Sequence, residues 1–126
     1  MSFTPKNALV WAEIPVSDLN KAIAFYSAVF GYEMKVDESG PNPIAFLPMD
    51  MASPGAGGHL YPGTPAGNGD GPTVHLAVPD TVEATAGRVR DAGGQANDTV
   101  MEIPAGRFGY ATDPDGNSLG LFQRPA

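Results

Sequence analysis

The stretch Asp113-Pro114-Asp115-Gly116-Asn117-Ser118-Leu119-Gly120-Leu121-Phe122 decides how the chain is read. Its first half is turn chemistry, with Pro after Asp and Gly before Asn. Its second half alternates. Leu119 and Leu121 share one face, and Ser118, Gly120 and Phe122 share the other, as in a strand with one buried side. A tight turn feeding a last strand is therefore predicted. This strand and the first strand of each half are expected to wrap a small-molecule cleft.

The segments before it follow a regular order. Residues 73–78 alternate, with Val74, Leu76 and Val78 on one face and Thr73, His75 and Ala77 on the other. Asp80-Thr81-Val82-Glu83 reads as a capping box with Asp80 in the cap position. The helix it opens runs to about Ala92, with Val82, Ala86 and Val89 inward, and Gly93-Gly94 stops it. Strands near 96–102, 107–112 and 118–123 complete this half.

The first half runs in the same order. Residues 8–16 form a strand, with Val10, Ala12, Ile14 and Val16 opposite Trp11 and Glu13. Ser17-Asp18 signals a helix N-terminus, and a helix over about 18–30 carries the stripe Leu19, Ala22, Ile23, Tyr26, Val29 and Phe30. Gly31 ends it. Strands are expected at 32–36, 43–49 and 58–61, with a hairpin turn at 37–40 and a glycine-rich turn over 51–57. Residues 62–72 have no periodicity and read as a linker. Each half therefore reads β-α-β-β-β, with module one at 8–61 and module two at 73–123 of a single domain, 1–126.

A shift of 62 residues superimposes the halves. Glu13 then meets His75, Ile14 meets Leu76, Asp18 meets Asp80 and Gly31 meets Gly93. Gly58 meets Gly120, and His59 meets Leu121. In register, these matches argue for a tandem repeat. The predicted class is α+β, with two curved mixed sheets enclosing a cleft and helices flanking them.

The totals narrow the function. A length of 126 residues with 42% hydrophobic content gives one globular domain with a core. Seven basic residues against fourteen acidic ones, with no basic run, make nucleic acid an unexpected partner. No stretch reaches the ~18–20 apolar residues of a membrane span, and the N-terminus lacks a signal-peptide core. Without cysteine there is no disulfide and no thiol nucleophile. Cytoplasmic is the default expectation.

Asp18-Leu19 with Ala22-Ile23-Ala24-Phe25-Tyr26, ending at Phe30-Gly31-Tyr32, and the Asp113–Asn117 turn together resemble the vicinal oxygen chelate superfamily. This group holds glyoxalase I, extradiol dioxygenases and the bleomycin and fosfomycin resistance proteins. The resemblance spans about residues 8–123. It implies a homodimer, in which halves pair within or across chains. It also implies where metal ligands would stand: seven residues before the Asp of each helix, here Trp11 and Thr73, and four after the Gly of the last turn, here Gly120, with Gly58 as its repeat partner. These four supply no ligand set of the usual His and Glu type. No cofactor is therefore expected.

The face opposite the helices carries other chemistry. Glu13 and His75 are repeat equivalents, and pseudo-twofold symmetry should bring them together as an acid–base pair or a polar anchor. Trp11, Thr73, Gly120 and Phe122 are expected to contact a ligand. Trp11 and Phe122 would form an aromatic wall with Phe108 or Tyr110. His59 is expected on the surface or in a loop. A slipped register would instead make Glu13, His59 and His75 a two-His, one-carboxylate metal site. Arg107 is expected at a solvated hairpin, and Asp91, Asp98 and Glu102 on a solvated surface. Two functions follow. One is a protein that binds an aromatic or hydrophobic small molecule, without the metal set. The alternative is an enzyme of the lyase, isomerase or dioxygenase type.

Overall fold

The computed structural model describes residues 2–52 and 55–125. The centre of the predicted turn over 51–57, residues 53 and 54, lies outside the described residues.

Module one opens with β1 (Trp11–Val16) and α1 (Leu19–Phe30). Asp18 caps α1 by accepting the Lys21 N–H at 3.1 Å. The helix buries Tyr26, Val29 and Phe30 almost completely, each contributing roughly 1.5–3 kcal/mol of apolar burial. Phe25 is also buried, whereas Ile23 of the predicted stripe is only half-buried. Two strands follow, β2 (Ala45–Phe46) and β3 (Gly57–Pro62). β3 lies between β1, which it pairs in parallel, and β2, which it pairs antiparallel.

The strand predicted at 32–36 does not form, so module one has three strands. Its one trace is a bridge between Asp37 and Ile44. Pro41, Pro43 and Pro48 explain the loss, because each removes a backbone donor from the segment that should have paired.

Module two comprises β4 (Val74–Ala77), α2 (Val82–Asp91), β5 (Gln95–Ala96), β6 (Met101–Ile103), β7 (Gly106–Thr112) and β8 (Ser118–Gln123). Its sheet runs β4-β8-β7-β5, with β6 also on β7, and β4 is parallel to β8. The single strand expected at 96–102 is split in two. Asn97 turns its side chain onto the Thr99 N–H at 3.1 Å, a local bond that competes with the ladder. The cap of α2 is Thr81, not Asp80, and accepts the Ala84 N–H at 3.1 Å. Asp80 instead holds Arg88 with both carboxylate oxygens, at 2.9 and 3.0 Å. The architecture is α+β with mixed sheets, as the sequence pattern predicts, and the sheets do not close into a barrel.

The two modules meet through their helices. α1 and α2 touch, Arg88 Nε donates to the Val29 carbonyl at 2.8 Å, and Tyr32 Oη donates to the Ala77 carbonyl at 2.8 Å. Apolar side chains from both modules share one core. The turn quoted first fastens the halves at a second point. Asp113, only 3% exposed, accepts the N–H groups of Asp115 and Asn117 on Oδ1, each at 2.9 Å. Its Oδ2 accepts Tyr26 Oη at 2.7 Å and Asn117 Nδ2 at 2.9 Å. Asn117 Nδ2 also donates to the Pro15 carbonyl at 2.8 Å, and Asp115 accepts both the N–H and the hydroxyl of Ser17. The last turn of module two is thus tied to the β1–α1 junction of module one.

Candidate functional site

The registers correct the repeat. Ile14 stands opposite Leu60, and Leu76 stands opposite Leu121, all four buried. Leu60 and Leu121 are therefore equivalents. Glu13 faces His59 as His75 faces Gly120. The partner of Gly120 is thus His59, not Gly58, and His59 does not match Leu121. The offset falls from 62 residues on the first strands to 61 on the last. This one-residue difference turns His59 onto the face opposite the helices, which corrects its expected place on the surface or in a loop.

On that face His59 sits between two partners. Trp11 Nε1 donates to its Nδ1 at 3.0 Å, and its Nε2 lies 3.1 Å from Glu13 Oε1. The His59 side chain is 14% exposed and that of Glu13 is 65% exposed. The rings of Trp11, Phe46 and Tyr61 surround the imidazole with centroids 5.9–6.3 Å away.

Glu13 and His75 do not form the expected pair. Glu13 takes His59, on the neighbouring strand of its own module. His75 lies in an aromatic group of module two, with centroids 5.4 Å from Phe108 and 6.0 Å from both Tyr110 and Phe122. Each imidazole is held by residues of its own module. Glu13 shares a small cavity with Val74 and Ser118 of module two, but no bond joins it to His75. Glu13, His59 and His75 are likewise not assembled as a metal set. Among the described residues, no group of three His, Cys, Asp or Glu converges as a metal site.

The remaining candidates divide between the modules. Trp11 is 40% exposed and forms an edge-to-face pair with Phe46 at 6.2 Å. Thr73 hydrogen-bonds Ser118 at the start of β8, hydroxyl to hydroxyl at 2.5 Å. Phe108 and Tyr110 both lie on the face opposite the helices, and Phe122 stacks on Phe108 at 6.2 Å. Trp11 and Phe122 therefore belong to two separate walls. Gly120 is required where it stands, because a Cβ there would collide with the His75 ring lying across it. Arg107 is not a free hairpin side chain. It reaches to the helix side and grips both oxygens of Glu83 at 3.0 and 2.8 Å. This bond holds the Glu83 carboxyl below the usual carboxylate range. Asp91, Asp98 and Glu102 are exposed, although Asp98 accepts Arg90 at 2.6 Å and Glu102 lies 3.7 Å from Arg107.

A cavity of about 520 Å³ opens in module one, and the sequence did not point to most of it. Trp11, Met34, Phe46, Leu47, Pro48 and Met49 make a nearly continuous apolar lining, and Glu33, Lys35 and Asp37 bring charge to it. Asp37 is drawn toward its own loop by bonds from the Ser39 hydroxyl and N–H at 2.6 and 2.9 Å, which lower its pKa. Met49 and Trp11 close over Gly57. A Cβ at Gly57 would stand 2.7 Å from Met49 Sδ and 2.8 Å from the indole. The alternation within 43–49 places Phe46 on the Trp11 face, and that was the available signal. The unpaired 32–36 segment, which brings Met34, gave none.

Three comparisons bear on this arrangement. The model of the Glyoxalase/Bleomycin resistance protein/Dioxygenase superfamily matches residues 8–121. CFP32 of Mycobacterium bovis and Mycobacterium tuberculosis, whose name assigns it provisionally to the glyoxylases, is 29% identical over 116 residues. That alignment covers 90% of this chain but 44% of CFP32, so the chain spans less than half the length of these relatives. TnmS3, an antibiotic binding protein from Streptomyces sp. CB03234, superimposes with a TM-score of 0.62 at 26% identity, covering 98% of this chain and 100% of TnmS3. A glyoxalase/bleomycin resistance protein from the same organism is 29% identical with a TM-score of 0.62, covering 92% and 100%.

Proposed function

The chain belongs to the Glyoxalase/Bleomycin resistance protein/Dioxygenase superfamily, and on that premise we propose that it binds a small hydrophobic, largely aromatic molecule without a catalytic metal. The observation that carries this reading is the apolar cavity of about 520 Å³ walled by Trp11, Phe46 and Met49. Its size is within the range of small-molecule sites, and its lining offers stacking and sulfur–arene contact. The likeness to an antibiotic binding protein supports the same class of function.

The donor set supports the absence of a metal. Corrected for register, the four positions that the family resemblance marks for ligands hold Trp11, His59, Thr73 and Gly120. One imidazole among them falls short of the roughly three protein ligands of a Lewis-acid site. Both nitrogens of that imidazole are already engaged, by Trp11 and Glu13. The enzyme alternative would fall on His75, whose ring nitrogens have no hydrogen-bond partner among the described residues. No carboxylate stands beside it to orient it as a base.

A homodimer belongs to the same reading. Trp11 and Phe46 on one module, and Tyr110 on the other, leave about two-fifths or more of their surface exposed on faces turned away from the core. A second copy laid over these faces would close the cavity on its open side.

Trp11 is the sole tryptophan, which makes the test direct. Titration with 1-N-phenylnaphthylamine should quench its emission saturably and brighten the probe in parallel. Leu47→Arg, which puts a charge in the lining, should abolish both signals. Probe brightening that leaves Trp11 emission unchanged would locate binding elsewhere and overturn the proposal.

A further inference from the structure

Indole Nε1–H only donates, so its 3.0 Å bond fixes His59 Nδ1 as an unprotonated acceptor. The proton of the neutral ring is then on Nε2, where it donates to Glu13 Oε1 at 3.1 Å. Trp11, His59 and Glu13 form one unbroken run of donor to acceptor. The consequence lies in what the indole presents to the cavity. Trp11 walls the cavity, and its single polar atom is spent on His59. Leu47, Pro48, Phe46 and Met49 add no side-chain donor, which leaves Lys35 as the other one in the lining.

Building on the cavity reading above, we infer that His59 is a specificity-determining positioning residue: by drawing the Trp11 N–H away, it leaves a wall that selects uncharged fused-ring aromatics with no acceptor on the edge that enters. A heteroatom buried against Trp11 and out of reach of Lys35 would lose its water and gain no donor, which disfavours it by roughly tenfold relative to the all-carbon ring. His59 touches the ligand only through Trp11.

The experiment compares naphthalene with quinoline, which differ by one CH replaced by N, in displacement of 1-N-phenylnaphthylamine from the whole chain. The readout is the ratio of the two affinities in each variant, so the general difference in hydrophobicity cancels. His59→Leu frees the indole N–H and should move the ratio toward quinoline by roughly fivefold, the effect of one regained hydrogen bond. His59→Gln retains an acceptor oxygen and should keep the wild-type ratio. Trp11→Phe removes the N–H and should keep it too. The near-UV circular dichroism of Trp11 should change in His59→Leu and return in His59→Gln, with no ligand present. An unchanged ratio in His59→Leu overturns the inference, as does an equal shift in His59→Gln. If neither compound displaces the probe from the wild type, the cavity reading fails and the selectivity claim fails with it. The circular dichroism then still reports whether His59 holds the indole.

Discussion

Replacing Asp113 with Ala tests the joint between the modules, and its cost can be worked from the partners it would strand. Four donors converge on this carboxylate, and no cation is among them. The N–H groups of Asp115 and Asn117 and the Asn117 amide belong to half-buried residues that can turn to water. Tyr26 cannot, since it is fully buried. Asp113→Ala therefore loses hydrogen bonds to a charged acceptor and also leaves one hydroxyl buried and unpaired. Together these cost about 3–5 kcal/mol. Tyr26→Phe removes only a donor and leaves the carboxylate three others, at a cost of about 1–2 kcal/mol. The double variant carries no orphaned hydroxyl. It should be at least as stable as Asp113→Ala alone, giving a coupling of at least about 1 kcal/mol. Urea unfolding followed by circular dichroism, at constant m, measures all three. Additive losses would show that the Tyr26–Asp113 bond contributes nothing of its own and would refute the reasoning.

Three further outcomes follow from the same geometry. Arg88 holds the Asp80 carboxyl down to about 2; a depressed carboxylate adds stability above its unfolded pKa and loses it as pH falls, so Asp80→Asn should flatten the acid limb of the stability curve between about pH 4 and pH 2. Burial pushes the Tyr32 phenol up to about 12; its contribution is complete below the unfolded value of about 10 and is lost as pH rises toward 12, so Tyr32→Phe should weaken the alkaline transition seen by absorbance near 295 nm. Gly57→Val places carbon where Met49 Sδ and the indole lie, and it should reduce 1-N-phenylnaphthylamine affinity by at least about tenfold while unfolding remains cooperative, because the clash is with a half-open wall and not with the core.

The periodic parts of this fold were legible because burial is one-sided. α1 and α2 each bury one stripe, and β1, β4 and β8 turn their large apolar residues Ile14 and Val16, Leu76, and Leu119 and Leu121 to the core at alternate positions, so hydrophobic spacing alone located them. What was not legible depends on donors and not on hydrophobicity. Residues 32–36 alternate like a strand yet remain unpaired, since the prolines that follow deny them a ladder. At α2 two neighbours, Asp80 and Thr81, both have cap chemistry. The choice between them was made by Arg88, eight residues along, which takes Asp80 for an ion pair.

For the site, the limiting step was alignment within the repeat. Matching Gly58 to Gly120 uses the residue type with the least to say about burial. Matching Leu60 to Leu121 uses the pair that the core demands, and it moves His59 from the helix side to the cavity side in one step. The sequence contained that signal in Gly-His-Leu-Tyr set against Leu-Gly-Leu-Phe, with a buried Leu third in each. Pseudo-symmetry relates positions between the modules and does not by itself bring them together. It correctly made Glu13 and His75 equivalent, but equivalence between modules gives proximity only when their faces converge. Here each module supplies its own imidazole to the same cross-strand pair from opposite strands, His59 from β3 and His75 from β4. One imidazole has a carboxylate and an indole to fix it, and the other has a glycine beneath it and three aromatic rings around it. The same cross-strand pair has thereby been given two environments, one polar and locked and one aromatic and open.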